Sequence, residues 1–291
     1  MKYIFFTFLL FEVSIYSQYY PINTVEFGYM HRSHYKQTRE NPLIMNSDGT
    51  ITVIGEFNDY ERRASANIVV PARMNLSIID MLRMKNSNEE KKIRFGDLFG
   101  LLPIYAGTAK VTEADLTSKE INFGTGFSMG AFVMYHIKPE MGLGFSYKWD
   151  VSLDAINDRK SYYSYYVPLN YLSILMHYQR FSLELSTTLD PRPTEQDMIE
   201  KNNTRLEKKK HDKVGEYYHG NGQALDFKFY INSKLYLTVK YERLKGEWYM
   251  GSQDASLPPL SDFSTSYPYK NFELFRRDRF RTFQSGLGIC F

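Results

Sequence analysis

The stretch Phe181–Leu189, FSLELSTTL, sets Phe181, Leu183, Leu185 and Leu189 on odd positions and Ser182, Glu184, Ser186 and Thr188 on even ones. Successive side chains of an extended strand point to opposite faces, so a period of two describes a strand with one apolar and one polar side. Met141–Asp150, MGLGFSYKWD, repeats the pattern: Met141, Leu143, Phe145, Tyr147 and Trp149 alternate with Gly142, Gly144, Ser146, Lys148 and Asp150. Outward from these two, the segments 121–137, 223–231, 235–243 and 281–291 alternate in the same way and predict an all-β chain of antiparallel hairpins. Three of the connections are short, at Lys138–Glu140, Gln179–Arg180 and Asn232–Lys234. Long ones lie between them, at about 151–162, 190–221 and 249–271.

Strict alternation of short and long connections sorts them to opposite ends of the strands. A two-sheet sandwich in water has no reason to do this. A transmembrane up-and-down barrel does, because its periplasmic turns are short and its outer loops long. Composition agrees. The chain has 291 residues, with 24 Tyr, 21 Phe and 2 Trp making 16% aromatic. A mean hydropathy of −0.43 excludes a bundle of membrane helices, each of which needs about 20 consecutive apolar residues. The net charge of +3 argues against a dedicated nucleic-acid binder, and one cysteine excludes an internal disulfide framework or a four-cysteine zinc site. No cofactor motif is read.

The last residues are GLGICF, and counting back in twos from Phe291 gives Ile289, Leu287, Ser285 and Phe283. Here the chain resembles bacterial outer-membrane β-barrel proteins, whose final strand typically ends on an aromatic residue. The resemblance implies that Phe283, Leu287, Ile289 and Phe291 act as an assembly signal for the barrel-assembly machinery, with outer-membrane lipid and lipopolysaccharide as surroundings. Residues 1–17 read as a signal peptide, with Lys2 ahead of the apolar YIFFTFLLF (Tyr3–Phe11) and Ser17 before the cut, although Glu12 and Ile15 depart from the usual pattern. Residues 18–291 then form one barrel domain. In its N-terminal third, strands are expected at 19–30, 50–58 and 61–71, with a polar loop at 31–49. Two more at 72–85 and 92–112 bring the total to about twelve. The alternative is ten, with the non-alternating Phe95–Tyr105 (FGDLFGLLPIY) forming a helix or plug.

Each short turn fixes a register. Counting about Ser233 places Asp226 opposite Lys240, an ion pair on the polar, lumen side. Counting about Pro139 places His136 opposite Gly142, on an inner face that also carries Gly124, Gly126, Gly130 and Gly144. The turn Gln179–Arg180 sets His177 near Ser182, with Glu184 farther along the same face. A base, a hydroxyl and a carboxylate form the logic of nucleophilic catalysis. No GxSxG turn accompanies them, and the trio lies at the periplasmic mouth, so no catalytic role is assigned. His31 and His34 form an HxxH pair without a third ligand in view. His211–Asp212 is a poor match to the rim residues of omptin-type proteases. Arg279 and Arg281 share parity with lipid-facing Phe283 and are expected to meet lipopolysaccharide phosphates, within the cluster Arg276, Arg277, Arg279 and Arg281. Tyr162, Tyr163, Tyr165 and Tyr166, with Trp248, Tyr249, Tyr217 and Tyr218, are expected to form an aromatic girdle at the outer membrane boundary. The run 200–213, with six Lys/Arg and three acids, reads as a solvated outer loop.

The expectation is a non-enzymatic outer-membrane barrel. It acts as a surface scaffold or binding component whose long outer loops meet a protein partner, with a secretion or surface-protein system as one home, or as a narrow small-solute channel. The alternatives are an outer-membrane hydrolase using His177, Ser182 and Glu184, and a soluble secreted carbohydrate-binding β-sandwich.

Overall fold

The computed structural model describes residues 20–38, 43–47, 51–53, 60–85, 92–113, 116–157, 162–207, 216–254, 256–257 and 267–291. The signal-peptide reading of residues 1–17 lies outside them, as does His211–Asp212. In chain order the elements are β1 (Thr24–Thr38), β2 (Leu43–Met45), β3 (Ile51–Val53), β4 (Tyr60–Leu76), α1 (Ile78–Lys85), β5 (Ile93–Glu113), β6 (Leu116–Lys138), β7 (Met141–Asn157) and β8 (Tyr162–Tyr178). They continue with β9 (Phe181–Thr188), α2 (Glu195–Glu207), β10 (Glu216–Tyr230), β11 (Leu235–Gln253) and β12 (Tyr269–Cys290). Ten strands close into one ring in the order β1-β12-β11-β10-β9-β8-β7-β6-β5-β4, each antiparallel to its neighbours, while β2 and β3 pair in a separate hairpin. No two-sheet sandwich forms from the described residues. Closure pairs every strand edge, which is what a strand must do where no water is present.

The ring therefore holds ten strands rather than twelve: the strand expected at 50–58 enters only the separate hairpin, as Ile51–Val53, and those expected at 61–71 and 72–85 are one strand, β4, followed by α1. Pro71 reads as a strand end, yet β4 runs on to Leu76, after which 78–85 turns helical. Val69 pairs with Ala106 and Met74 with Leu101, so Pro71 and Pro103 fall in the same unpaired gap between β4 and β5. Neither proline has an N–H to give the ladder, and a local irregularity absorbs both without ending either strand. Phe95–Tyr105 is likewise strand and no plug. Arg94, Gly96 and Gly100 point inward and are buried, while Phe95, Phe99 and Leu101 point outward and are exposed. The alternation is hidden because glycine fills two inward places. At Gly100 an added Cβ would lie 2.0 Å from Ser128 Oγ, so glycine is required by what fills the bore.

The outer wall carries a broad apolar band. Phe27, Val133, Leu143, Phe145, Ile174, Leu185, Leu237, Phe283, Leu287 and Ile289 are all exposed side chains on odd positions or their register equivalents. In water this would be an unsupportable surface; against acyl chains it is the expected one. The turns at one end are short, and at the other the strands rise well beyond the roughly 10 residues a tilted membrane strand needs. There β7 and β8 stay paired to Asn157 and Tyr162, and β5 and β6 to Glu113 and Leu116. The long loop expected at 151–162 is thus mostly paired strand, because the ladder continues above the membrane. The expected loop 190–221 contains α2, an ordered helix.

The candidate functional site: a filled bore

Even positions of most strands, and odd positions of β8, point into the bore, and ten strands leave an interior narrow enough for side chains to fill. Glu26 of β1 is wholly buried and is the hub. Lys240 Nζ of β11 lies 2.9 Å from its Oε2, Lys228 Nζ of β10 lies 3.3 Å from its Oε1, and the Tyr236 hydroxyl donates to Oε1 at 3.0 Å. Lys240 also meets Asp226 Oδ2 at 2.8 Å, and Thr238 Oγ1 donates to Asp226 Oδ1 at 3.2 Å. Farther along the same wall, Glu184 of β9 stands opposite Asp226 and pairs with Lys148 of β7. The bonds from Glu26 to Lys228 and from Lys148 to Glu184 skip intervening strands, so they are chords across the bore rather than rungs along its wall. Buried charges persist only when paired and hydrogen-bonded, and a network of this kind fixes one arrangement of the interior.

The chain's own entry segment closes the space below. Tyr20 and Ile22 pack with Phe132, Met134 and Leu175 inside the barrel. Arg94 Nη1 donates to the Tyr20 carbonyl at 2.7 Å, and its Nε donates to Asp80 Oδ1 of α1 at 3.0 Å. The Ser77 N–H donates to Asn23 Oδ1 at 2.7 Å, which ties the start of α1 to the same segment. Between this segment and the charged wall a cavity of about 40 Å³ is lined by Tyr20, Lys148, Glu184, Asp226, Lys228 and Lys240. That is room for roughly three waters.

The outer mouth is built differently. Met198 of α2 sits in a buried cluster with Tyr249, Tyr269 and Phe272. The helix starts with a capping box: the Asp197 N–H donates to Thr194 Oγ1 at 3.1 Å, and the Thr194 N–H donates to Asp197 Oδ2 at 2.9 Å. The Thr194 hydroxyl, and after it the Thr194 N–H, holds the Asp197 carboxyl below its ordinary pKa. Lower down, His34 Nε2 meets Asp278 Oδ1 at 2.9 Å, Trp248 Nε1 donates to Asp278 Oδ2 at 3.0 Å, and Arg276 Nε lies 2.8 Å from the same oxygen.

Against this geometry the residues singled out in the sequence fall as follows. Asp226 and Lys240 are opposite one another and in ion-pair contact. His177 Nδ1 lies 2.8 Å from Ser182 Oγ, but Glu184 is committed to Lys148, and Ser182 Oγ is 3.3 Å from the Tyr230 hydroxyl in a site 2% exposed. The structure therefore brings His177 and Ser182 together, with Glu184 paired to Lys148. Strand geometry also separates His31, outward and exposed, from His34, inward and buried. Arg279 and Arg281 point outward. Phe283, Leu287, Ile289 and Phe291 are exposed on the lipid side, at the end of β12. Tyr162, Tyr163, Tyr165 and Tyr166 lie on β8, and their side chains are outside the described residues.

Trp248 and Tyr249 require correction: neither faces lipid. Trp248 has the inward parity of β11, where its Nε1 donates to Asp278, and Tyr249, on the opposite face beside Glu247, is covered by α2 and 6% exposed. Tyr218 is stacked on Trp248 at 4.6 Å, and Tyr217 packs beside α2. Phe127 and Trp149, with ring centroids 5.6 Å apart, do stand outward. Sequence reasoning also missed Glu26 and Lys228. An acid at every-other spacing within TVEFGYM was the available signal, but its partners lie across the bore, where hairpin counting does not reach.

No protein-family model matches the chain, and no curated protein matches it. Solved structures with a similar arrangement include the outer membrane protease OmpT from Escherichia coli, at 9% identity and a TM-score of 0.41, covering 94% of this chain and 98% of that one. The outer membrane protein OprG from Pseudomonas aeruginosa aligns at 6% identity and a TM-score of 0.31, covering 95% and 99%. The transport unit of the autotransporter AIDA-I from Escherichia coli aligns at 10% identity and 0.33, covering 91% and 90%. The closed ring and the apolar outer wall themselves define the class: a bacterial outer-membrane β-barrel.

Proposed function

We propose that this barrel is a sealed, non-enzymatic outer-membrane component that serves as a surface scaffold, presenting its tall outer strands and α2 to a protein partner. The observation that carries this reading is the bore. The chords from Glu26 to Lys228 and Lys240 and from Lys148 to Glu184 cross the bore above Tyr20–Asn23 and border a cavity of about 40 Å³. A solute path would need those ion pairs to part, and parting them leaves charges uncompensated in a narrow interior. The hydrolase alternative is weakened by Glu184, which pairs with Lys148 and not with His177. Function then falls to the outer surface, where β5 to β8 extend beyond the membrane and α2 rests on Tyr269 and Phe272.

The test is conductance. The purified protein inserted into planar bilayers is expected to give no steady single-channel current. A reproducible, long-lived open level would favour the channel reading and overturn this one.

A further inference from the structure

Four cations stand together on the lipid-facing side of β11 and β12. Arg243 and Lys245 of β11 and Arg279 and Arg281 of β12 all occupy outward positions and are exposed. The register sets Arg243 directly opposite Arg281 and Lys245 directly opposite Arg279. Like charges facing each other across a ladder destabilise a sheet, so this arrangement carries a cost that something must offset. Among the described residues no acidic group offsets it. Across the strands β10, β11, β12 and β1 the lower row reads Gln223, Arg243, Arg281 and Ser33. The upper row reads Asn221, Lys245, Arg279 and Tyr35. Neither row holds a carboxylate. Glu247, the next acid along the same face of β11, is engaged by Arg192 and by the Tyr249 hydroxyl. Arg279 has the Tyr35 ring at 5.9 Å, and among the described residues none of the four cations has an acidic partner.

Height identifies the counter-ion. Directly below these rows the same face turns apolar, with Tyr241 44% and Phe283 47% exposed, then Val239 and Leu287. Eight residues separate Leu235 from Arg243. At about 3.3 Å each, and with the usual tilt of about 40°, they climb roughly 20 Å along the barrel axis. An apolar band about 25 Å tall thus ends where the cations begin, at the level of the outer headgroups. We infer that Arg243, Lys245, Arg279 and Arg281 form a binding site for the phosphate groups of lipopolysaccharide, with its acyl chains lying on Tyr241, Phe283 and Val239. Guanidinium groups take phosphate oxygens two at a time, and the neighbouring amides of Asn221 and Gln223 add neutral donors. The inference needs only the membrane orientation of the barrel and is independent of whether the bore is sealed.

The test follows the thermal unfolding of the full-length barrel, stripped of lipid, in non-ionic detergent. The probes are lipid A, dephosphorylated lipid A and inorganic phosphate. Lipid A at a hundredfold excess over its Kd is expected to raise the unfolding temperature of the natural protein by roughly 5 °C. The variant R243Q/K245Q/R279Q/R281Q is expected to lose that rise and, without lipid, to unfold at a higher temperature than the natural protein, because the repulsion is gone. An equal rise in the variant, or an equal rise with dephosphorylated lipid A, overturns the site. A full rise with inorganic phosphate alone overturns the lipid as its ligand. Folding of each variant is read independently from heat-modifiable migration in a gel. If the fourfold variant does not fold, R243K/R281K, which keeps charge but not the paired geometry, is expected to bind lipid A about tenfold more weakly; unchanged affinity there counts against the site.

Discussion

In the lower bore, Glu26, Lys228, Lys240 and Asp226 from three strands meet through charge, whereas at the outer mouth α2 sets Met198 against Tyr249, Tyr269 and Phe272 through apolar contact. The lower one is built from side chains that point into the bore, so it cannot move without the wall. The upper one rests Met198 of α2, a segment outside the ring, on three side chains of β11 and β12 and behaves as a small soluble core would. Ion pairs that cross a narrow interior are costly to break singly, while an apolar cluster under one helix fails locally. The comparison places the seal in the wall and the adaptable surface in the cap.

The largest expected effect comes from breaking the hub. Glu26→Gln leaves two buried ammonium groups with one carboxylate between them, and is expected to cost about 3–5 kcal/mol. The midpoint of urea unfolding in lipid vesicles measures this. The Lys148 and Glu184 pair sharpens the point: Lys148→Met alone should be strongly destabilising, while Lys148→Met with Glu184→Leu should return to within about 1 kcal/mol of the natural protein. Cap variants should behave differently. Phe272→Ala removes a ring from the upper cluster at a cost of about 3 kcal/mol, expressed as faster proteolysis between 189 and 215 with the barrel's own unfolding midpoint unchanged. A matching shift in that midpoint would mean the two regions unfold as one.

Smaller effects test the helix start. Thr194→Ala is expected to cost about 1 kcal/mol, roughly fivefold in local opening, read by amide exchange over 195–201. Because the Thr194 hydroxyl and N–H lower the pKa of the Asp197 carboxyl, its contribution is present above about pH 4 and is lost as pH falls through the lower folded value. Exchange in α2 should therefore accelerate below pH 4 in the natural protein and show a weaker pH dependence in Asp197→Asn. The smallest effect is at the turn between β8 and β9. Gln179 holds φ 52°, a left-handed conformation that asparagine adopts more readily. Gln179→Asn should stabilise by about 0.5 kcal/mol.

Much of the ring was legible in the sequence because period two survives wherever one face meets lipid and the other a polar bore. The turns at Pro139, Gln179 and Ser233 then fixed the pairing of Asp226 with Lys240 and of His177 with Ser182. The N-terminal third was less legible. Pro71 imitates a strand end but sits opposite Pro103 in a shared irregularity, and Gly96 and Gly100 erase the alternation of β5. Contacts along chords, such as Glu26 with Lys228, were invisible because hairpin counting relates only neighbouring strands. Trp248 was misplaced because adjacent residues of a strand face opposite ways, and Tyr249 because α2, which hairpin counting does not locate, lies over it.

The most direct test of the division between wall and cap is the bilayer conductance of a barrel from which residues 190–213 have been deleted and replaced by a short Gly-Ser linker. If Glu26, Lys228, Lys240, Asp226 and the Lys148–Glu184 pair are the seal, the shortened barrel stays closed, and Glu26→Gln in that background opens it. A steady current from the deletion alone would place the seal in the cap and contradict the account.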